Sequence, residues 1–146
     1  MNITGKGMKF RWLNNAGFEM ELSSGKHLLV DPWLDEAQIY PISIDEIERA
    51  DYVLLTHTHD DHSDSIGRIQ KRFPQAAIFV GDLSAEALCK EYDLNVERLF
   101  RIRGGEEYEF DDVKIEVISA RHTESKGGNY WNPFSPTNIK VHVYTK

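Results

Sequence analysis

Residues 52–62 read YVLLTHTHDDH, an apolar run that leads directly into three histidines and two adjacent aspartates. A short run of apolar residues such as 52–56 is typical of a strand that is buried on both faces of a sheet. Imidazole nitrogens and carboxylate oxygens are the ligands expected for zinc or a similar first-row divalent metal ion. The stretch therefore predicts a buried strand whose end carries a candidate metal site.

The residues around this stretch predict a layered α/β domain. Apolar alternation and short apolar runs predict strands at 8–13, 18–22, 27–30, 77–80, 98–103, 107–110 and 113–120 and around 139–143. Helical periodicity and capping residues predict helices near Ser43, at 64–73 and at 84–92. Proline at position 32 leads us to expect extended geometry at the residue before it, Asp31. Helices inserted between strands, with hairpins at both ends, are typical of a layered fold.

Length and composition restrict the class of protein. The chain has 146 residues and a net charge of -7, which fits a single domain over residues 1–146. The acidic balance lacks the basic surface that a nucleic-acid backbone requires, so we expect no nucleic-acid partner. No apolar stretch approaches the length of a membrane span, and residues 1–7 lack the apolar core of a signal peptide. We therefore expect no membrane association and a cytoplasmic protein.

The spacing within the histidine cluster suits metal binding. Side chains two positions apart on extended backbone point to the same side, so we expect His57 and His59 to face one pocket. Asp61 and His62 lie beyond a bend and approach from a different side. A catalytic zinc ion takes three protein ligands and keeps one position for water. His122, just after the last predicted strand of the central region, is the candidate for the third ligand.

The two other histidines are expected at the surface. His27 begins a strand beside a turn, and His142 alternates with Val141 and Val143, so that its side chain is predicted on the solvent face of a strand. Neither is expected to bind metal. A polar loop of surface histidines would explain one or two residues of the cluster at 57–62, but it is a poor explanation for the whole cluster.

Three segments of the chain resemble the metallo-β-lactamase superfamily of metal-dependent hydrolases, in particular its lactonase-like cytoplasmic branch. Residues 12–32 resemble the family's opening hairpins and the strand that ends in its first aspartate. That aspartate matches Asp31, and the resemblance implies that it braces the metal loop through hydrogen bonds. Residues 50–56 lead into the ligand motif as the family's sequences do, and residues 118–122 resemble the later segment that supplies one more histidine. The resemblance covers nearly the whole chain.

The resemblance also implies a role for each candidate site residue. His57, His59 and His122 would hold the first metal ion, and Asp61 and His62 would begin a second site. The cofactor would be Zn²⁺, Mn²⁺ or another first-row divalent metal, as one or two ions. A metal-activated water would attack an ester, lactone or phosphoester bond of a small-molecule substrate. Asp61 is also the expected catalytic residue, because it is placed to orient that water or to pass on its proton.

The implied fold is the N-terminal half of an αββα sandwich, with a mixed sheet and helices on one side of it. Family members continue with a second half that supplies a bridging aspartate and a final histidine, yet only 24 residues follow His122 and no aspartate follows Asp112. Gly81-Asp82 looks like the bridging motif, but it precedes His122 and is interpreted as a helix cap. We expect a fragment of a longer protein, in preference to a chain that pairs with another copy to cover an open apolar sheet face.

Three functional hypotheses follow from these residues. The leading one is a metal-dependent hydrolase. The first alternative is a catalytically incomplete metal-binding half-domain or interaction module, which keeps the ligands but does not turn over a substrate. The second alternative is a superfamily member that acts on nucleotides, which the net charge of -7 disfavours.

Overall fold

The computed structural model describes residues 2–5, 8–120 and 137–143, with side chains described for residues 8–120. Within these ranges the strands are β1 (Asn2–Gly5), β2 (Met8–Asn14), β3 (Gly17–Glu21), β4 (His27–Val30), β5 (Tyr52–Leu54), β6 (Ala77–Gly81), β7 (Leu99–Ile102), β8 (Glu107–Glu109), β9 (Val113–Ser119) and β10 (Thr137–Val143). The α-helices are α1 (Asp60–Ser63), α2 (Ile66–Arg72) and α3 (Asp82–Tyr92), and short 3-10 helices cover Ile44–Glu46 and Val96–Arg98. Every predicted strand is present, and β1 is an additional one.

Most strands form one seven-stranded sheet in the order β1-β2-β3-β4-β5-β6-β7. Strands β1 to β4 pair antiparallel, whereas β4 to β7 pair parallel. In the parallel part, Leu29 lies opposite Val53 and Val53 lies opposite Ile78. The carboxyl ends of β4, β5 and β6 therefore meet at one edge of the sheet, the usual position of a binding site in such sheets.

The helices cover one face of this sheet, as predicted. Val53, Ile78 and Val80 of the sheet belong to one buried cluster with Ile66 of α2 and Leu88 of α3. The other face packs against a second sheet of order β10-β9-β8. The result is a three-layer arrangement of helices, mixed sheet and small antiparallel sheet. Among the described residues, no helix is long and apolar enough to cross a membrane.

The expectation of a wholly open inner sheet face is wrong for the central strands. Val113, Ile115 and Val117 of β9 are buried in one cluster with Leu54 and Phe79 of the large sheet. The alternation of these residues gives β9 an apolar face that covers the middle of the inner face. Among residues 8–120, the part of this face over β2 to β4 is less completely covered, and the following side chains there are partly exposed: Phe10, Trp12, Phe18, Met20 and Val30.

One smaller expectation is corrected and another is confirmed. His27 is not a surface residue, because its side chain is only 16% exposed and its Nδ1 atom lies 3.0 Å from Glu19 Oε1. The interpretation of Gly81-Asp82 as a helix cap is confirmed, because Gly81 is the N-cap of α3, although no side chain makes a capping hydrogen bond there. Asp82 has another role. It is the first residue of that helix, and its carboxylate forms ion pairs with Arg101 at 2.8 Å and Arg103 at 2.6 Å. The side chain of His142 lies outside the described residues.

Candidate metal centre

Strands β4 and β5 bring the candidate site residues to one edge of the sheet. β4 ends at Val30 and is followed by Asp31, and β5 ends at Leu54 and leads into residues 56–62, which we call the metal loop. The metal loop leaves the sheet after Leu55, whose amide still bonds to the Phe79 carbonyl of β6 at 2.9 Å. It then enters the short helix α1, in which Asp61 and His62 lie.

The two leading histidines direct ring nitrogens at each other. His57 Nε2 lies 3.1 Å from His59 Nδ1, and the two rings meet at an interplanar angle of 78°. Two nitrogens that bind one tetrahedral zinc ion at about 2.05 Å are about 3.3 Å apart. The pair therefore fits a shared ion, although β5 ends before His57 and the two side chains converge from loop backbone.

Asp61 and His62 lie beside this pair. The His57 and His62 ring centroids are 3.9 Å apart, and His62 Nε2 lies 3.7 Å from Asp61 Oδ2. The His62 side chain is 12% exposed, whereas that of Asp61 is 43% exposed. The structure thus brings together His57, His59, Asp61 and His62, and the Asp61 side chain is more exposed to solvent than that of His62.

The fifth predicted ligand, His122, lies outside the described residues, as do the residues on both sides of it from 121 to 136. Within the part of the chain that the structure describes, no group of three or more histidine, cysteine, aspartate or glutamate side chains has the geometry to hold a metal ion by itself. The donor set of His57 and His59 fits two positions of such a site. The assignment of a third ligand remains the sequence-based prediction.

Asp31 connects the strand edge to the metal loop. Its Oδ1 atom accepts a hydrogen bond from the Thr56 amide at 2.8 Å, and its Oδ2 atom accepts one from the Thr56 hydroxyl at 2.6 Å. Oδ2 also lies 3.0 Å from His62 Nδ1. The Thr56 hydroxyl in turn lies 3.1 Å from His57 Nδ1. These contacts brace the metal loop on the Nδ1 sides of the His57 and His62 rings.

The backbone of Asp31 differs from the extended geometry expected before a proline. Its φ angle is 42°, in the left-handed region that non-glycine residues seldom adopt. Because aspartate tolerates this region better than most side chains, the position is suited to the residue it carries. The turn directs the carboxylate at Thr56 and His62, so the unusual backbone accompanies the bracing contacts.

The charge environment raises the pKa of His62 above its ordinary value. Burial of the ring acts in the opposite direction, but the hydrogen-bonding contact with Asp31 and the negative charges of Asp31 and Asp61 outweigh it. The Asp31 contact favours a proton on Nδ1 of His62. In a neutral ring with that proton, the lone pair is on Nε2, the nitrogen nearer Asp61.

Sequence reasoning missed a residue at the site. Asn15 lies in the turn between β2 and β3, and its Nδ2 atom donates to Asp61 Oδ2 at 2.6 Å. Strands β2 and β4 run in the same direction, because each is antiparallel to β3. The end of β2 is therefore at the same edge as Asp31. The predicted strands at 8–13 and 18–22 indicated a turn, but only the pairing of β3 with β4 shows where that turn lies.

The chain is similar to known metal-dependent hydrolases. A metal-dependent hydrolase of Aeropyrum pernix is 34% identical to the chain over 130 residues, with 82% of this chain and 53% of the relative covered. The chain thus spans about half the length of the curated relatives it matches. The structure of Igni18, a metallo hydrolase from Ignicoccus hospitalis, is similar with a TM-score of 0.66 and 19% identity, over 93% of this chain and 56% of that one.

The same fold occurs in a protein with a different chemistry. CmlA, a diiron β-hydroxylase from Streptomyces venezuelae, has a similar structure, with a TM-score of 0.67 and 17% identity. The similar region covers 95% of this chain and 28% of the CmlA chain. At these identities the structural likeness shows the fold alone. The family described as "Beta-lactamase superfamily domain" matches residues 9–139, which is most of the chain. With its layered fold and histidine-rich metal loop, the chain belongs to this beta-lactamase superfamily domain family.

Proposed function

We propose that the chain carries the metal site of a hydrolase that cleaves an ester, lactone or phosphoester bond of a small molecule. The observation that supports this most directly is the convergence of His57 Nε2 and His59 Nδ1 at 3.1 Å beside a partly exposed Asp61. The relatives named as metal-dependent hydrolases support the same assignment.

In this proposal His57, His59 and His122 hold the first ion, which is Zn²⁺, Mn²⁺ or another first-row divalent metal. Asp61 and His62 supply ligands toward a second ion. A divalent ion held by these residues would act as a Lewis acid and would lower the pKa of water at the site to about 7.

The protein residues have separate tasks in the reaction. Asp61, 43% exposed, orients the attacking water and accepts its proton, since a carboxylate within reach of the water acts as a general base. The imidazoles of His57 and His62 keep fixed orientations through Thr56 and Asp31. A site held this way needs little reorganisation when the substrate binds, which favours the transition state.

A panel of lactones, p-nitrophenyl esters and phosphodiesters tests the proposal with Asp61→Ala and a control. We expect metal-dependent hydrolysis of at least one class, with the rate reduced by about 100-fold or more in Asp61→Ala. Asp60→Ala changes the neighbouring carboxylate, which is exposed, and should retain the wild-type rate. Metal-loaded chain that hydrolyses no member of the panel would contradict the hydrolase assignment and favour the metal-binding module instead.

A further inference from the structure

The turn between β2 and β3 reaches the metal loop through one short hydrogen bond. Asn15 Nδ2 donates to Asp61 Oδ2 at 2.6 Å, across 46 positions of sequence. A bond from an amide to an ionised carboxylate is among the stronger hydrogen bonds in proteins. Asp61 is 43% exposed, and a half-exposed carboxylate without such a partner rotates among several rotamers.

The turn that carries Asn15 is held by two further hydrogen bonds. Its φ angle of 41° lies in the left-handed region, which asparagine adopts more readily than most residues. The Trp12 indole donates to the Asn15 carbonyl at 3.0 Å, and the Asn14 side chain donates to the Trp33 carbonyl at 3.0 Å. The turn is therefore fixed against the loop that follows β4, and the Asn15 amide is presented to Asp61 in one orientation.

We propose that Asn15 is a positioning residue that holds the Asp61 carboxylate in the orientation it needs toward the metal. This inference rests on the proposed function, because it requires Asp61 to be a metal ligand. An amide N–H directed at Oδ2 occupies one lone pair of that oxygen and so sets the rotation of the carboxyl group. Removal of a residue that hydrogen-bonds to a metal ligand commonly weakens metal binding by about 10- to 100-fold.

Two substitutions separate hydrogen-bond donation from backbone shape. Asn15→Gly keeps the left-handed backbone at no steric penalty and removes the amide. Asn15→Asp keeps the size of the side chain and its tolerance of that backbone, but replaces the donor with a second negative charge that faces Asp61. A merely structural role for Asn15 predicts that Asn15→Asp behaves like the wild type. If Asn15 acts by donating to Asp61, Asn15→Asp should bind metal more weakly than Asn15→Gly.

The measurement is a Co²⁺ titration of the full 146-residue chain, followed by visible absorption and by competition with a chelator. We expect a changed spectrum and about 10-fold weaker binding in Asn15→Gly, and weaker binding still in Asn15→Asp. In an Asp61→Ala background the same changes at Asn15 should have no effect. As a control for general destabilisation, Asn95→Ala removes an N-cap hydrogen bond to Glu97 in a distant 3-10 helix and should leave the spectrum unchanged.

The outcomes distinguish the inference from the function on which it rests. Equal spectra and affinities in wild type, Asn15→Gly and Asn15→Asp would overturn the role of Asn15 while leaving the metal site intact. Effects at Asn15 that persist in the Asp61→Ala background would also overturn it, because they would not act through Asp61. Failure of the wild-type chain to bind Co²⁺ would overturn the proposed function and this inference together.

Discussion

Asp31 matches one aspartate of the family in the sequence, and in the structure it makes three contacts with the metal loop. Its two carboxylate oxygens receive the Thr56 amide and hydroxyl at 2.8 Å and 2.6 Å, and one of them lies 3.0 Å from His62 Nδ1. The two Thr56 donors each meet a carboxylate oxygen, and an amide group in place of the carboxylate would accept at one of these positions only. The residue therefore organises the site without being placed to bind the ion itself.

Asp31→Asn tests this arrangement. Asparagine preserves the size of the side chain, but its amide group presents donors to the Thr56 hydroxyl or to His62 Nδ1. We expect metal affinity to fall by about 10- to 100-fold, as chelator competition measures. Asp35→Asn makes the same change at another aspartate with positive φ, 62°, that bonds to the Ile44 amide. Equal losses of affinity in the two variants would contradict the role of Asp31.

Gly17 is required by the close approach of two backbone segments. A Cβ atom at this position would lie 2.8 Å from the Asp31 carbonyl oxygen and 2.9 Å from that of Asn14. Both obstacles are main-chain atoms, so neither yields as a flexible side chain would. We expect Gly17→Ala to lower the free energy of unfolding by about 1–3 kcal/mol and to weaken metal binding by displacing Asp31.

Gly25→Ala provides the matched control for this prediction. Gly25 has a φ angle of 78°, and a Cβ atom there would meet nothing within 4 Å. Its substitution strains the backbone and destabilises the chain by about 1–2 kcal/mol, yet it should leave metal affinity unchanged. Denaturant unfolding and chelator competition on both variants provide the comparison. Unchanged metal binding in Gly17→Ala would show that Asp31 does not depend on this approach.

The sequence alone could group His57, His59, Asp61 and His62, because they are close in sequence as well as in space. Their convergence follows from local chain geometry, so a motif contains most of the information. Asn15 could not be assigned to the site in this way. Its contact with Asp61 spans 46 positions, and it depends on the order of the strands in the sheet.

At the scale of elements, the large and small sheets are joined by a polar group at the end remote from the metal loop. Asp112, which is buried, accepts hydrogen bonds from Ser24 at 2.6 Å and from the Tyr52 hydroxyl at 3.1 Å. Lys26 donates to the Tyr52 hydroxyl at 2.9 Å and lies 3.5 Å from Asp112. The group links the turn before β9 to β5 and to the turn before β4.

This group predicts a defined dependence of stability on pH. Burial acts to raise the pKa of Asp112, but the hydrogen bonds from Ser24 and Tyr52 and the charge of Lys26 outweigh it and lower the pKa below its ordinary value. Because the folded pKa lies below the unfolded one, the carboxylate contributes stability above about pH 4, and this contribution is lost as the pH falls through the folded pKa.

Asp112→Asn should therefore be less stable than wild type at neutral pH by about 1–3 kcal/mol. The difference should narrow when denaturant unfolding is repeated below about pH 4. Asp111→Asn changes the adjacent, exposed carboxylate and should differ little from wild type at any pH. If the difference in free energy of unfolding between Asp112→Asn and wild type stayed constant down to low pH, the charged Asp112 carboxylate would not be the source of this stability.

The elements themselves were largely predictable, since β9 alternates clearly between buried Val113 and Ile115 and half-buried Lys114. The start of a helix at Asp60 was not predictable from the sequence. The helix α1 has only four residues, and its N-cap, His59, makes no side-chain capping bond. Its two aspartates in the first turn suit a helix N-terminus electrostatically, but the same residues are as readily explained as metal ligands.

At the scale of the whole molecule, stability depends on the contact between the two sheets. Ile115 of β9 is fully buried against the large sheet, while Ile118 of the same strand is 47% exposed. Ile115→Ala should lower the free energy of unfolding by about 2–5 kcal/mol, because it removes buried methyl groups and leaves a cavity. Ile118→Ala should have a much smaller effect. If denaturant unfolding gave similar losses of free energy for Ile115→Ala and Ile118→Ala, the packing of β9 on the large sheet would be contradicted.

The arrangement of the layers was only partly predictable. Helices on one face of the sheet could be predicted from the spacing of Ile66 and Ile69. These residues lie one turn apart on α2, and both are buried. The cover on the other face was not foreseen, because β8 and β9 contribute to a second sheet that only tertiary pairing reveals. Partly exposed side chains such as Trp12 and Phe18 at the β2 and β3 edge show where that cover ends.

The central claim is that His57 and His59 bind one metal ion, and metal content tests it most directly. The chain is incubated with Zn²⁺ or Mn²⁺, freed of excess metal and analysed by mass spectrometry for metal. We predict about one tightly bound ion per wild-type chain, almost none for the His57→Ala/His59→Ala double variant, and wild-type content for His27→Ala, whose ring pairs with Glu19. No metal in the wild-type chain, or equal content in the double variant, would contradict the claim.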